Sequence, residues 1–326
     1  MTGRPIRSFW ITVGFGWIIL AAAAAIYAPM IKVPAAIAFP VAAAFLVEFP
    51  FYLLPGFPAA RELLTAGGKP RAAAILAVSA VLPWLIYALG TGHFNIPALV
   101  VMVSIAILMS YWYVAFPAHP AADLLYLSLF AALYLLKVFA RVYPLPWPKV
   151  DVSILGKVML IRTLAFSFIQ FRGGIDAEFR FLPTAREWLA GLRWFAYLLV
   201  PIGAIYRALG LAVVRPSPQN IGLVIGTFFG ILWTTAIYEE FIFRGMLQPW
   251  FGRWLANPTA AIIVTSLLFG SVHLSFHNRF PNWRFAIVAA VLGLFCGMAR
   301  RKTGGIQAGM VAHALTVAVW KMFFTY

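Results

Sequence analysis

Two adjacent carboxylates and an arginine end a long apolar stretch, in the run Tyr-Glu-Glu-Phe-Ile-Phe-Arg at positions 238–244. The chain has only 9 acidic residues among 326, and a charge at bilayer depth costs about 2.5–3.5 kcal/mol. Because Glu240 and Arg244 are four residues apart, they share a helix face and are predicted to pair. Glu239 lies about 100° away around the helix. Its carboxylate therefore faces a neighbouring helix, where it can act as a general base.

Two histidines on later helices are the natural partners for that base. His273 follows Phe269 by one helical turn, and His313 follows Gly309 by one turn. Either histidine alone has an ordinary interpretation, as a packing residue whose ring bonds a nearby carbonyl. Ionisable groups inside a membrane are functional candidates by default. We therefore predict that Glu239, His273 and His313 meet in one intramembrane pocket.

A metal site is an alternative for the same region. His273 and His277 are four residues apart, a spacing at which two imidazoles on one helix chelate zinc. Glu239 or His313 would then supply the third ligand. However, His277 lies at the predicted helix end, where an interfacial histidine is ordinary. A site without metal or other cofactor is the main prediction, and a metal-dependent variant stays open.

Composition indicates what kind of chain positions these groups. Hydrophobic residues make up 63% of the chain and charged residues 10%, against about 45–50% and about 25% in soluble domains. The apolar runs are long and continuous, which is typical of membrane helices. The net charge of +16 indicates contact with anionic headgroups at the membrane faces. Basic residues are scattered at helix ends, so no nucleic-acid partner is expected.

The predicted fold class is all-α, a polytopic helical membrane protein of about ten spans that include a C-terminal four-helix catalytic core. Three regions are predicted: an N-terminal block of about five spans over residues 1–140, an interfacial basic segment over 141–193, and a catalytic membrane core over 194–326. The five N-terminal spans are predicted at residues 9–29, 34–55, 72–89, 96–116 and 122–139.

The basic segment carries further local signals. Residues 152–171 are predicted to form an amphipathic or partly embedded helix. Thr184, with Glu187 three residues later, has the pattern of a capping box that begins the next helix. The charges within the N-terminal spans are interpreted as structural pairs, because nothing in their spacing points to catalysis; they are Glu48, Asp123 and Lys137.

Three motifs occur in the order Glu-Glu-x-x-x-Arg (239–244), Phe-x-x-x-His (269–273) and a later histidine helix at His313. This ordered set resembles the CAAX prenyl protease and bacteriocin-processing (abortive-infection) family of glutamate-type intramembrane endopeptidases. The resemblance covers residues 220–326.

The resemblance implies a role for each matching residue. Glu239 would be the catalytic glutamate and, with His273, would activate a water molecule. Glu240 and Arg244 would hold the geometry of the site, and His313 would stabilise the oxyanion. Phe269 and Thr316 are assigned to substrate binding. One position departs from the pattern, since Val317 stands where the family usually has Asn or Asp. Loss of one oxyanion donor typically lowers the rate about 10²–10³-fold.

The function expected from these features is hydrolysis of a peptide bond near the membrane surface, by an intramembrane endopeptidase of a bacterial inner membrane. Its substrate would be a membrane-associated peptide or protein. Two other functions are compatible with the same residues. One is a non-catalytic immunity or scaffold protein of the same fold, and the other is a transporter that uses the acidic and histidine residues as a proton relay.

Overall fold

The computed structural model describes residues 3–148, 150–173, 179–210, 221–276 and 280–323. Every regular element within these ranges is a helix, which confirms the all-α prediction. The chain divides into two compact units, Met1–Gly174 and Ile175–Tyr326. Seven of the described helices are long and apolar enough to cross a membrane. The protein is therefore an integral membrane protein of the polytopic helical class.

The first unit contains eight α-helices within the described residues. They are α1 Gly3–Met30, α2 Ala35–Leu53, α3 Pro58–Thr65, α4 Lys69–Gly90, α5 Ile96–Ala115, α6 Pro120–Leu135, α7 Val138–Val142 and α8 Ser153–Phe166. A π-helical turn extends α8 to Arg172. Helices α3 to α6 each carry proline in the first turn, where the missing N–H has no intrahelical partner to lose. The side chain of Asn95 caps α5 by accepting from Ala98 N.

Buried ion pairs tie the elements of this unit together. Arg162 on α8 donates to Glu48 on α2 through Nε and through Nη2, the latter at 3.2 Å from Oε2. Arg172 Nη2 lies 2.8 Å from Asp123 Oδ2 at the start of α6. The hydroxyl of Tyr113 donates to the other oxygen of Asp123 at 2.6 Å. Glu48 and Asp123 are therefore structural pairs, as predicted.

Helix α8 and the π-helical turn after it cover the helix predicted over residues 152–171. An amphipathic or partly embedded helix was expected over residues 152–171, but Ser153–Arg172 is long and apolar enough to cross a membrane. Eleven of the fourteen residues of Ser153–Phe166 are buried, and the three that are not, Ile154, Lys157 and Val158, lie in its first two turns. Two of the basic residues that suggested an interface, Arg162 and Arg172, pair with Glu48 and Asp123. The predicted 141–193 segment is thereby divided between the two units.

The number of candidate spans among the described residues is lower than the predicted ten or so. The seven are Ile6–Met30, Ala35–Gly56, Lys69–Gly90, Ile96–Ala115, Ser153–Arg172, Ala185–Ala208 and Trp283–Thr303. Two other predicted spans are shorter apolar helices, Pro120–Leu135 and Pro258–Val272. The predicted 122–139 span is interrupted at Lys137, because the φ of this residue is 52°, in the left-handed region. Helix Pro120–Leu135 therefore ends before it.

The second unit holds the predicted catalytic region. Its described α-helices are α9 Ala185–Ala208, α10 Ile221–Gly230, α11 Ile237–Glu240, α12 Gln248–Leu255, α13 Pro258–Val272, α14 Trp283–Thr303 and α15 Gln307–Phe323. Two π-helical segments, Ile231–Ala236 and Phe241–Leu247, join α10, α11 and α12 into one continuous helical rod.

The ends of these helices follow from local sequence. The capping box of Thr184 and Glu187 begins α9, which confirms that prediction. Asn257 caps α13 by accepting from the N–H groups of Thr259 and Ala260. Helix α14 ends at Gly304, whose φ of 81° is left-handed and suits glycine.

Candidate active site

The first motif lies where the rod changes from α- to π-helical geometry. Glu239 and Glu240 are the last residues of α11, and Arg244 lies in the π segment that follows. The Glu240 side chain is 0% exposed, whereas that of Glu239 is 15% exposed. The two neighbouring carboxylates therefore occupy different surroundings. Only the first of them, Glu239, is accessible to another molecule.

Arg244 anchors the buried carboxylate. Its Nη1 donates to Glu240 Oε1 at 3.1 Å, which confirms the predicted pair. Its Nη2 donates to the carbonyl oxygen of Gly293 on α14 at 2.9 Å. A side chain at position 293 would bring Cβ to within 3.0 Å of that nitrogen, so glycine there admits the guanidinium. Arg244 therefore fixes Glu240 against the backbone of a second helix.

His313 joins both carboxylates. Its Nδ1 lies 3.0 Å from Glu240 Oε1, within hydrogen-bonding distance, and its Nε2 lies 3.7 Å from Glu239 Oε2. The second distance is too long for a direct hydrogen bond. Because the Glu240 carboxylate can only accept, Nδ1 of His313 carries the proton in this bond. The sequence did not indicate the bond between Glu240 and His313, because it joins residues 73 positions apart.

His273 lies at the end of α13, not within the helix as predicted, because α13 ends at Val272. The ring is half-buried, and its Nδ1 is 2.7 Å from the carbonyl oxygen of Phe269. Since a carbonyl only accepts, Nδ1 donates and Nε2 carries the lone pair in the neutral ring. Within the described residues no direct bond joins His273 to Glu239.

Phe269 lies at the centre of these groups. It is fully buried, and its ring centroid lies 4.7 Å from that of His273 and 5.8 Å from that of His313. The guanidinium carbon of Arg244 is 4.5 Å from the same ring centroid, a cation–π distance. Its complete burial favours a positioning role over the predicted substrate contact. The ring holds the two histidines and the arginine in a fixed arrangement.

Thr316 and Val317 lie one turn beyond His313. The Thr316 hydroxyl donates to the Ala312 carbonyl of its own helix at 2.7 Å. This bond uses the hydroxyl hydrogen that a substrate contact or an oxyanion would need. Val317 is half-buried and has no polar atom in its side chain.

The metal alternative has limited support from the described residues. No group of three His, Cys, Asp or Glu side chains in those ranges is arranged to hold a metal ion. His277, the second member of the predicted chelating pair, lies outside the described residues.

The site carries more negative than positive charge. The guanidinium of Arg244 pairs with Glu240 but not with Glu239. One oxygen of each carboxylate is buried without a hydrogen-bond donor among the described groups. Buried acceptors without donors cost about 1–3 kcal/mol each, and more when charged. Such a set can accept protons from a bound molecule through Glu239 or His273, and it can donate through Nε2 of His313 when that ring carries both protons.

Three comparisons with known proteins bear on this site. Residues 220–319 match the family described as Rce1-like, type II CAAX prenyl endopeptidase. The uncharacterized protein YpbD of Bacillus subtilis (strain 168) is 26% identical over 132 residues. That match covers 40% of this chain and 58% of YpbD, so the chain spans little more than half of that relative. No solved structure matches the chain. The resemblance seen in the three motifs is therefore confirmed over residues 220–319, which are similar to the family described as Rce1-like, type II CAAX prenyl endopeptidase.

Proposed function

We propose that this protein is an intramembrane endopeptidase that hydrolyses a peptide bond near the membrane surface with a water molecule activated by Glu239 and His273. The observation that carries the proposal is the state of Glu239. It is the accessible carboxylate of the pair, and its Oε2 is buried without a hydrogen-bond donor and faces Nε2 of His313 at 3.7 Å. A carboxylate in that state is suited to accept a proton from water.

His273 supports the same step from the other side of Phe269. Its Nδ1–H is held by the Phe269 carbonyl, which leaves Nε2 as the acceptor. The oxygen of the water attacks the scissile carbonyl carbon as its proton passes to Glu239. That proton then passes to the leaving nitrogen when the C–N bond breaks. His273 orients the water and shares the proton during the attack.

His313 is the proposed electrophile for the oxyanion. Because its Nδ1 donates to Glu240, its Nε2 can donate to an oxyanion only when the ring carries both protons. The buried Glu240 carboxylate supplies the balancing negative charge beside that ring. Donors preorganised in a site without bulk water stabilise a tetrahedral intermediate strongly. Glu240 and Arg244 therefore act through His313 and not on the substrate.

The proposed substrate is a membrane-associated peptide or protein, because α14, whose Gly293 carbonyl accepts from Arg244 in the site, is long and apolar enough to cross a membrane. The proposed location is a bacterial inner membrane, with the excess of basic residues against anionic headgroups.

The test is cleavage of a membrane-tethered peptide by the full-length protein in detergent. Glu239→Gln removes the proton acceptor but keeps the size of the side chain. It is expected to lower turnover by at least about 10²–10⁴-fold, the usual contribution of a general base. Glu62→Gln is the matched control, since Glu62 is an exposed carboxylate of α3, and it is expected to leave turnover unchanged. Full cleavage by Glu239→Gln would contradict the proposal.

A second candidate is a non-catalytic member of the same fold. The observation that favours it is the missing oxyanion donor, since Val317 is apolar and the Thr316 hydroxyl is bonded to its own helix. Such a protein would bind the tethered peptide without cutting it. Binding by the wild-type chain with no cleavage, and unchanged binding by Glu239→Gln, would support this second candidate.

A further inference from the structure

The buried carboxylate of Glu240 fits into a space that depends on one glycine. Its Oε1 accepts from Arg244 and from His313. Its Oε2 points toward the backbone of α15 and has no hydrogen-bond donor among the described groups. A Cβ atom built on Gly309 would lie 2.7 Å from this Oε2 and 3.3 Å from the carboxylate carbon. Real Cβ atoms essentially never come that close, so any side chain at position 309 must displace the carboxylate.

We propose that Gly309 is a positioning residue of the active site. By having no side chain, it lets the Glu240 carboxylate lie against α15 and reach Nδ1 of His313. Gly309 touches neither substrate nor water in this scheme, and it acts on His313 through Glu240. The expected effect on catalysis rests on the function proposed above, whereas the effect on the His313 ring does not.

Other reasons for a glycine at this position are weak. Gly309 lies within α15, and its φ is not in the left-handed region that would require glycine. Within a helix, glycine is less favourable than alanine by about 0.8–1.0 kcal/mol. Close helix packing does not explain it either. The nearest atom other than those of Glu240 is the Cβ of Cys296, which a new Cβ would meet at 3.5 Å, an ordinary contact distance.

The consequence of a side chain at position 309 can be followed atom by atom. A displaced Glu240 Oε1 leaves its position 3.0 Å from Nδ1 of His313. The ring then loses the acceptor that keeps the proton on Nδ1, so both its tautomer and its orientation become less well defined. Misplacement of a catalytic group by about 1 Å can lower a rate about 10²-fold.

The experiment compares Gly309→Ala with two glycine controls in the full-length protein in detergent. Gly203→Ala in α9 places its Cβ in open space. Gly270→Ala in α13 brings its Cβ to 2.7 Å from the Ala286 carbonyl and so perturbs helix packing without touching Glu240. The measurements are the ¹⁵N NMR signals of labelled histidine side chains, assigned with His313→Asn, and the turnover of the tethered peptide.

We expect Gly309→Ala alone to move the Nδ1 signal of His313, and to lower kcat about 10²-fold with KM little changed. Gly203→Ala is expected to change neither measurement, and Gly270→Ala to lower stability without moving the His313 signal. An unchanged His313 signal in Gly309→Ala would overturn the inference even if the protein is a protease. A shifted signal in a protein that cleaves nothing would uphold the inference and refute the proposed function.

Discussion

Buried charges occur in both units of this protein, but they are balanced differently. In the first unit, Glu48 faces Arg162 and Asp123 faces Arg172, one carboxylate for each guanidinium. Each of these pairs is joined by more than one hydrogen bond. In the second unit, Arg244 pairs with Glu240 alone, Glu239 has no guanidinium partner among the described residues, and the His313 imidazole lies near both carboxylates.

The difference separates charges that hold a fold from charges that can do chemistry. A matched pair joined by two or more hydrogen bonds fixes two helices to each other and leaves no excess charge for a third molecule. An excess carboxylate beside an imidazole has no such match, and its protons can be exchanged. The ratio of buried carboxylates to buried guanidinium groups is therefore more informative about function than the number of buried charges.

The largest expected effect comes from breaking a matched pair. Glu48→Gln leaves Arg162 as an unpaired buried cation, and loss of one partner of a buried pair costs about 3–5 kcal/mol. We expect a loss of that size in the free energy of unfolding of the full-length protein in mixed micelles. Glu239→Gln removes an excess charge and is expected to leave the free energy of unfolding unchanged.

A double variant controls for the change in packing. Glu48→Met combined with Arg162→Met replaces both charges by apolar side chains, which is often neutral or stabilising when the volume is kept. Recovery of most of the lost stability would attribute the effect of Glu48→Gln to the orphaned guanidinium. A stability change as large for Glu239→Gln as for Glu48→Gln would remove the distinction between the two sets of charges.

The next largest expected effect comes from adding a hydrogen-bond donor for the oxyanion at position 317 in the second unit. Val317→Asn places an amide one helical turn beyond His313, at the position where the resemblance leads one to expect Asn or Asp. If the site is catalytic, the added donor is expected to raise kcat about 10²–10³-fold. The measurement is single-turnover cleavage of the tethered peptide.

Two control variants test whether an increase in kcat comes from the added amide donor. Val317→Leu adds no donor, and Thr316→Val removes a hydroxyl that already donates to Ala312. Neither is expected to raise turnover. A decrease in kcat with Val317→Asn would show that position 317 lies away from the developing oxyanion.

The smallest effect comes from a charge at a helix end outside the spans. Burial acts to raise the pKa of the Asp151 carboxyl, but hydrogen bonds from the side chain and backbone of Ser153, together with Lys157, outweigh it and lower the pKa. A lowered pKa stabilises the fold above the usual aspartate range near about 3.9, and this contribution is lost as the pH falls through the lowered value.

Asp151→Asn is therefore expected to lower stability at neutral pH by less than about 1 kcal/mol, as for other partly exposed charges. The difference from the wild type should disappear when unfolding is measured at pH values below the aspartate range. A difference that grows as the pH falls would contradict the assigned direction of the pKa shift.

Much of the fold could be predicted from the sequence because it depends on short-range patterns. Apolar run lengths indicated the helical membrane class, and the spacing of Thr184 and Glu187 indicated a capping box. The pair of Glu240 and Arg244 was also predictable, since partners four residues apart on a helix face each other. These features need only the geometry of one helix.

The rest depends on contacts between distant parts of the chain. Arg162 looked interfacial because its partner, Glu48, lies 114 residues earlier. The bond between Glu240 and His313 joins two helices whose facing sides no single-helix pattern determines. Gly309, one turn before His313, indicated that another group comes close to α15. It did not indicate that this group is the Glu240 carboxylate. The placement of His273 at the end of α13, where its N–H donates to Gly270 O, was not indicated by any spacing in the sequence.

The π-helical segment Phe241–Leu247 directly follows the two glutamates. Such segments are usually single-residue insertions into an α-helix, and they are frequent at functional sites. If the helical winding stayed unchanged, deleting one residue between Glu240 and Arg244 would rotate Arg244 by about 100° around the rod relative to Glu240. Arg244 would then turn away from α14 although no neighbouring side chain had been altered. In this chain, the length of the peptide between the acid and its guanidinium is as much a determinant of the site as the identity of either group.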